Sequence, residues 1–204
     1  MGGGPGGYAT ALYGAAAGLD IALVEEDRVG GTCLLRGCIP AKALLQTAEV
    51  AHTIKDAEKF GVIATGGAID FAQLQTRKNA VINQLVGGLE GLLKRRKVTV
   101  FNSKAMLHNA QRKEVSLSDG SVISATKAVV VATGSLPRQF GPLPYDGEVI
   151  LSSDHVLELT YAPKRVAIIG GGAIGCEFAS FLNEAGSEVT LLEAAPSLLA
   201  GCDK

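Results

Sequence analysis

The sequence has no excess of either charge: 19 lysines and arginines stand against 20 aspartates and glutamates, a formal charge of −1 over 204 residues. A chain so balanced offers no electrostatic footprint for nucleic acid or for an anionic membrane surface. Long apolar runs are missing too. Stretches such as 128–132 fall far short of the roughly 20 residues that a membrane-spanning helix needs, and no basic start, apolar core and cleavage site marks a secretory leader at Met1. Cysteine is scarce: four (Cys33, Cys38, Cys176 and Cys202) are too few for a disulfide scaffold in a chain of this length. A cytosol-like, reducing compartment is expected, with a mitochondrial matrix left open because the true N-terminus reads as missing. What is abundant is apolar content, 47%, which with the low net charge excludes disorder. Glycine is also abundant: 26 of 204 residues, nearly twice the usual share of about 7%, with no collagen-like period.

The glycines resolve into a repeat. Gly2-Gly3-Gly4-Pro5-Gly6-Gly7 and Gly170-Gly171-Gly172-Ala173-Ile174-Gly175 both satisfy G-x-G-x-x-G. Each leads into a helical pattern ending in Ala-Gly, then a strand (21–24; 189–192), then an acid: Glu25 stands eighteen positions after Gly7, and Glu193 eighteen after Gly175. One such match is weak evidence and two at identical spacing are strong. In this pattern the first two glycines permit a tight turn and close approach of a pyrophosphate, the third lets helix and strand pack, and the phosphates meet the helix N-terminus. The acid accepts hydrogen bonds from a ribose. No arginine follows Glu193 within the sequence, which favours NAD over NADP at the second site.

Between the repeats, 41–59 reads as a helix with Pro40 near its first turn and Gly61 beyond its end. Asp70 is placed to cap a second helix reaching about Arg96. Strands are expected at 98–101 and 127–132, the latter buried, and Asp119-Gly120 signals a hairpin between 114–117 and 122–124. A loop rich in proline and glycine from Pro137 to Gly147 puts a boundary near residue 148, dividing the chain into 1–148 and 149–204. The second repeat has an opening strand, 164–169, whereas the first has only Met1 before it. The chain therefore reads as a piece of a longer protein that lacks the first strand of its first unit, a lack expected to expose the apolar faces of 21–24 and 129–131.

Cys33 and Cys38 lie within Gly31-Thr32-Cys33-Leu34-Leu35-Arg36-Gly37-Cys38-Ile39-Pro40-Ala41-Lys42. In one regular helix a five-residue step rises about 7.5 Å, beyond the roughly 7 Å limit on Cα separation in a disulfide. A bridge would thus require the backbone to break, for which Gly37 is suited; a strained bridge would be readily exchanged. Inert thiols, or half of a zinc site, are the alternatives, and His52, His108 and His155 are too scattered to complete the latter. No metal is expected. The histidines read as surface or capping residues, Cys176 as a helix-packing thiol and Cys202 as a loop residue.

Taken together, the two fingerprints with Glu25 and Glu193, the segment from Gly31 to Lys42, Ala132-Thr133-Gly134 and Glu177 resemble the flavin-dependent pyridine nucleotide-disulfide oxidoreductases. The redox segment is most similar to that of their dihydrolipoyl dehydrogenase branch. The resemblance covers the whole chain and implies an α/β fold. A Rossmann-like FAD-binding domain (1–148) would be followed by the start of a second, NAD-binding one (149–204), in three layers with a mostly parallel sheet, the first strand and the C-terminal interface domain being absent. It implies that Gly2, Gly4, Pro5, Gly6 and Gly7 hold the FAD pyrophosphate and Glu25 its ribose. Gly31, Thr32, Lys42, Thr133, Gly134 and Ser135 would line the flavin, and the Ala105 backbone would reach the adenine. Gly170, Gly172, Ala173, Ile174, Gly175 and Glu193 would hold NAD. Ser103 departs from a glycine common before the adenine contact, which puts the local turn in question.

The resemblance further implies that Cys33 and Cys38 form a redox-active disulfide, with Cys33 exchanging with the substrate and Cys38 facing the flavin, and that Lys42 pairs with Glu177 near it. Dihydrolipoamide would reduce the disulfide, and the electrons would pass through FAD to NAD. The partners implied are a second copy of the full-length protein, a homodimer, and the lipoyl domains of 2-oxoacid dehydrogenase complexes. The family's general base lies in the interface domain, so these 204 residues alone are expected to be inactive. The competing readings are a non-catalytic flavin- or nucleotide-binding module and a reductase of another low-molecular-weight disulfide.

Overall fold

The structure, a computed structural model, describes residues 1–202. The chain is α/β and divides into two compact units, one of residues 1–35 and 82–136, the other of 36–81 and 137 onward. This division by packing does not coincide with the boundary expected near residue 148.

In the first unit, helix α1 (Pro5–Ala16) leads into β1 (Ala22–Glu25), which pairs in parallel with β2 (Thr99–Asn102) in the register Ala22 with Thr99 through Glu25 with Asn102. Ala11 of α1, Leu23 of β1 and Val29 are buried with Ile82, Val86 and Leu93 from the second half of a long helix, α4 (Phe71–Arg95). Asp70 opens that helix as its composition predicts: Oδ1 accepts from the amides of Ala72 at 2.9 Å and Gln73 at 3.1 Å, satisfying two of the donors a helix start leaves unpaired. A meander of β3 (Ala105–Asn109), β4 (Glu114–Leu117) and β5 (Val122–Ser124) completes the unit, with Asp119-Gly120 at the expected hairpin. Strand β3 carries no clean alternation and was not legible beforehand.

Residues 127–132 are not a strand, contrary to expectation. The ladder bonds of this segment run to Met1, whose amino group donates to Val130 O and whose carbonyl accepts from Ala132 N, both at 2.9 Å, while Gly2 N donates to Val24 O at 2.8 Å. A single paired residue does not propagate a strand, and Val130 and Val131 remain exposed. The apolar face of 21–24 is not laid open as expected: Leu23 and Val24 are buried, Val24 in a cluster with Val115 and Leu117.

In the second unit, α3 (Cys38–Asp56) extends further toward the N-terminus than predicted and closes in a 3-10 turn over Ala57–Phe60, which ends at Gly61 with φ +77°. A short α2 (Gly31–Arg36) precedes it, and Gly37 separates the two helices. After α5 (Ser153–Leu157), β6 (Arg165–Ile169) pairs in parallel with β7 (Glu188–Leu192), the crossover between them being α6 (Ala173–Glu184). Ala41, Leu44 and Ala48 of α3 pack with Phe178, Phe181 and Leu182 of α6 and with Leu74 of α4. Burying each leucine or phenylalanine contributes about 1.5–3 kcal/mol, so this core fixes the thiol-bearing helix against the helix of the second fingerprint.

Candidate functional site

The first fingerprint forms a cradle at the start of α1. Its N-cap, Gly4, has φ −75° and ψ −175°, no side chain caps the helix, and Pro5 begins it, so the amides of Gly6 and Gly7 stay available to an anion. A Cβ on Gly7 would lie 1.7 Å from Gly2 O, and one on Gly2 would lie 2.1 Å from Ala132 O. Glycine is obligatory at both. Glu25 ends β1 and uses both carboxylate oxygens on the turn itself, accepting from Gly3 N at 2.5 Å and Asp27 N at 3.0 Å. Gly31 packs beneath, where a Cβ would come within 2.4 Å of Gly4 Cα, and Thr32 follows it on α2. Thr133, Gly134 and Ser135 continue directly from Ala132 at the rim of the same cradle.

Ala105 starts β3, opposite Leu117. It is brought near the acid by Ser103, whose amide donates to Glu25 O at 2.9 Å. The Ser103 hydroxyl lies 2.8 Å from that of Ser118, so the turn absorbs the departure from glycine. An open cleft beside Glu25, lined by Arg28, Val29, Leu93, Lys94 and Lys97, was not anticipated. Its only signal in the sequence is the basic end of α4, which reads equally well as a favourable helix terminus.

The second fingerprint repeats the arrangement at the start of α6. Gly172 caps the helix with φ −74° and ψ −176°, again without a side-chain cap, and Ala173, Ile174 and Gly175 supply the first amides. A Cβ on Gly175 would lie 1.9 Å from Gly170 O. Glu193 follows β7 and accepts from Gly171 N and Ala195 N, both at 2.7 Å. The amides of Ala195 and Gly171 hold its carboxyl below the ordinary carboxylate range. Cys176, read from the sequence as a packing thiol, donates to Gly171 O at 3.4 Å inside this cradle.

The redox candidates sit on α2 and α3. Cys33 is half-buried on α2; Cys38 is exposed at the first position of α3, where Gly37 provides no side-chain cap. Lys42, one turn along α3, donates from Nζ to Glu177 Oε1 on α6, which joins the helix of Cys38 to the helix of the second cradle. Of the histidines, His155 does cap: its Nδ1 accepts from Ser152 N at 3.0 Å. His52 is instead part of a charged cluster, with Nδ1 at 3.1 Å from Glu184 Oε1. Among the described residues no cluster of histidine, cysteine and carboxylate could hold a metal ion.

Comparison with known proteins follows this geometry closely. The profile of the family described as pyridine nucleotide-disulphide oxidoreductase matches residues 1–204. A dihydrolipoyl dehydrogenase of Chlamydia muridarum is 45% identical over 202 residues, which cover 98% of this chain and 43% of that protein. One of Bacillus subtilis is 39% identical over 206 residues, covering 100% of this chain and 45% of that protein. Among solved structures, that of LpdA from Mycobacterium tuberculosis matches with a TM-score of 0.83 at 25% identity, covering 94% of this chain and 43% of that one. The chain thus spans less than half the length of the relatives it matches.

Proposed function

The chain belongs to the pyridine nucleotide-disulphide oxidoreductase family, and from that premise we propose that its full-length product is a dihydrolipoyl dehydrogenase, oxidising dihydrolipoamide to lipoamide with NAD as the final acceptor. FAD and NAD are the cofactors that membership implies. The residues present fit both: two helix N-termini without side-chain caps, each facing an acid that is already oriented by two amides. Gly6 and Gly7 would hold the FAD pyrophosphate and Glu25 its ribose; Ala173 to Gly175 and Glu193 would do the same for NAD.

The observation that carries the redox reading is the joining of α3 to α6 through Lys42 and Glu177. It places the Cys38 thiol on a helix braced directly against the nucleotide-binding helix. In the proposed reaction a dithiol thiolate attacks Cys33 of the Cys33–Cys38 disulfide, Cys38 leaves as thiolate, and the second substrate thiol displaces Cys33 to release lipoamide. Two protons and two electrons have then moved from substrate to the cysteines. The chemistry supplied by bound FAD is transfer of that electron pair from the dithiol to NAD. Lys42, held by Glu177, keeps a positive charge one turn from Cys38.

The general base that removes the substrate proton is placed outside these 204 residues, as the resemblance implies; within them His155 serves as a cap and His52 faces two carboxylates. The chain alone is accordingly proposed to be inactive, and the full-length protein to act as a homodimer serving lipoyl domains. Replacing Cys38 by Ser in the flavin-loaded full-length protein is expected to abolish the long-wavelength absorbance band that appears on two-electron reduction. A band that survives the substitution overturns the role given to Cys38.

A further inference from the structure

The two ends of the α3–α6 pair are held differently. At one end Lys42 meets Glu177 through an exposed contact, with side-chain exposures of 60% and 32%. An isolated pair of that kind is worth about 0–1 kcal/mol and does not hold its own geometry. At the other end three bonds converge on Glu184, the last residue of α6. Its Oε1 is 3.1 Å from His52 Nδ1, its Oε2 is 3.3 Å from Lys55 Nζ, and Lys55 Nζ also donates to its backbone carbonyl at 2.8 Å. That carbonyl is one of those a helix leaves unpaired at its C-terminus, where positive charge is favoured. Between the two ends lie the buried Leu44, Ala48, Phe181 and Leu182.

We propose that His52, Lys55 and Glu184 are positioning residues, a charged clasp that pins the C-terminal end of α3 to the end of α6 and thereby keeps Lys42 on Glu177 at the opposite end. None of the three belongs to either cradle or to the redox segment. The consequence for turnover rests on the functional reading above; the clasp itself does not.

His52 stands between two carboxylates in the clasp. Both ring nitrogens face carboxylates: Nδ1 faces Glu184, and Nε2 is 3.6 Å from Asp56 Oδ2. Only the imidazolium can donate to both, since a neutral ring turns a lone pair toward one of them. The charged groups around it are Glu184 from α6, Lys55 and Asp56 from α3, and Lys59 from the 3-10 turn, which binds Asp56 at 2.9 Å. With lysines already on both carboxylates, His52 adds to the clasp rather than forming it alone.

The test is amide hydrogen exchange on the full-length, FAD-loaded protein, wild type against variants at one pH, read in two places remote from the clasp: 42–48 and 174–180. With about 0.2–1 kcal/mol at stake, removing Glu184's charge should lower protection at both by roughly 1.4- to fivefold. His52→Lys, which keeps a positive charge, should leave it at or above the wild-type level, and His52→Gln and Glu184→Gln should lower it at both places. In Glu184→Gln, kcat should fall by about the same factor while KM for NAD stays within about twofold. Effects confined to 50–56 and 182–186, or a Glu184→Gln protein whose remote protection equals that of the wild type, overturn the clasp. If exchange responds as stated but dihydrolipoamide is not oxidised by the wild type, the clasp stands and the functional reading falls.

Discussion

At the first cradle the N-cap glycine has φ −75° and ψ −175°; at the second, φ −74° and ψ −176°. Both helices are 12 residues long, both third glycines would drive a Cβ into the oxygen of the first, and both acids clamp the amide of the glycine between. Their surroundings differ. Gly2 is wedged against Ala132 and Gly4 touches Gly31, whereas among the described residues nothing lies within 4 Å of a Cβ on Gly170 or Gly172. Pro5 also gives the first cradle a fixed φ at the cost of one amide donor, where Ala173 keeps that donor. The same backbone has been set into a closely packed frame in one unit and an open one in the other. A cradle's shape is thus a local property, and its tolerance of change is not.

The largest effects should separate the two cradles by ligand. In Gly7→Ala the added methyl meets a backbone oxygen at 1.7 Å, and in Gly175→Ala at 1.9 Å. Neither oxygen can yield without moving the turn, so each should lose stability at or above the upper end of the roughly 1–3 kcal/mol typical of overpacking. In the full-length protein, Gly7→Ala should be purified with little flavin, and Gly175→Ala with normal flavin but no measurable NADH binding. Loss of flavin from both would mean that the cradles do not serve different ligands.

A smaller, graded effect is expected from the acids. A hydrogen bond to a charged group contributes about 1.5–3 kcal/mol, so Glu193→Ala should weaken NAD about tenfold or more and leave FAD content unchanged, while Glu25→Ala does the reverse. Titration of each variant with both cofactors tests this, and equal weakening of the two would reject the ribose assignments.

The smallest effect probes the open frame of the second cradle. Gly172 has an extended-side φ of −74° and room for a Cβ, so Gly172→Ala should shift Tm by no more than about 2 °C, the equivalent of about 0.5 kcal/mol. Its NAD affinity should still fall, because the space the methyl takes is where a pyrophosphate approaches. An unchanged affinity would show that the second glycine serves the fold and not the ligand.

Much of this was legible in the residues, for identifiable reasons. The cradles, the Asp70 cap and the hairpin at Asp119-Gly120 depend on contacts within a few positions, where side-chain chemistry and backbone preference act directly. The segment 127–132 misled because its apolar run satisfies the strand pattern while, among the described residues, its ladder bonds run to Met1 alone. The grouping of 36–81 with the residues from 137 onward, and the involvement of His52 with Glu184, join positions 79 to 132 residues apart, as from Lys78 to Leu157 and from His52 to Glu184, about which periodicity is silent.

The residue pattern alone determined that this chain folds as α/β, carries two nucleotide cradles with matched acids, and breaks its helix between Cys33 and Cys38. These are properties of short stretches, set by glycine geometry, capping and spacing. The pairing of Lys42 with Glu177, implied by the resemblance, is met in the structure; only the tertiary structure decided that the helix of Cys38 packs along the helix of the second cradle and that Glu184 gathers His52 and Lys55 at their far end. Those contacts arise when apolar faces distant in sequence are buried together, and charged groups then find one another at the edges of that core.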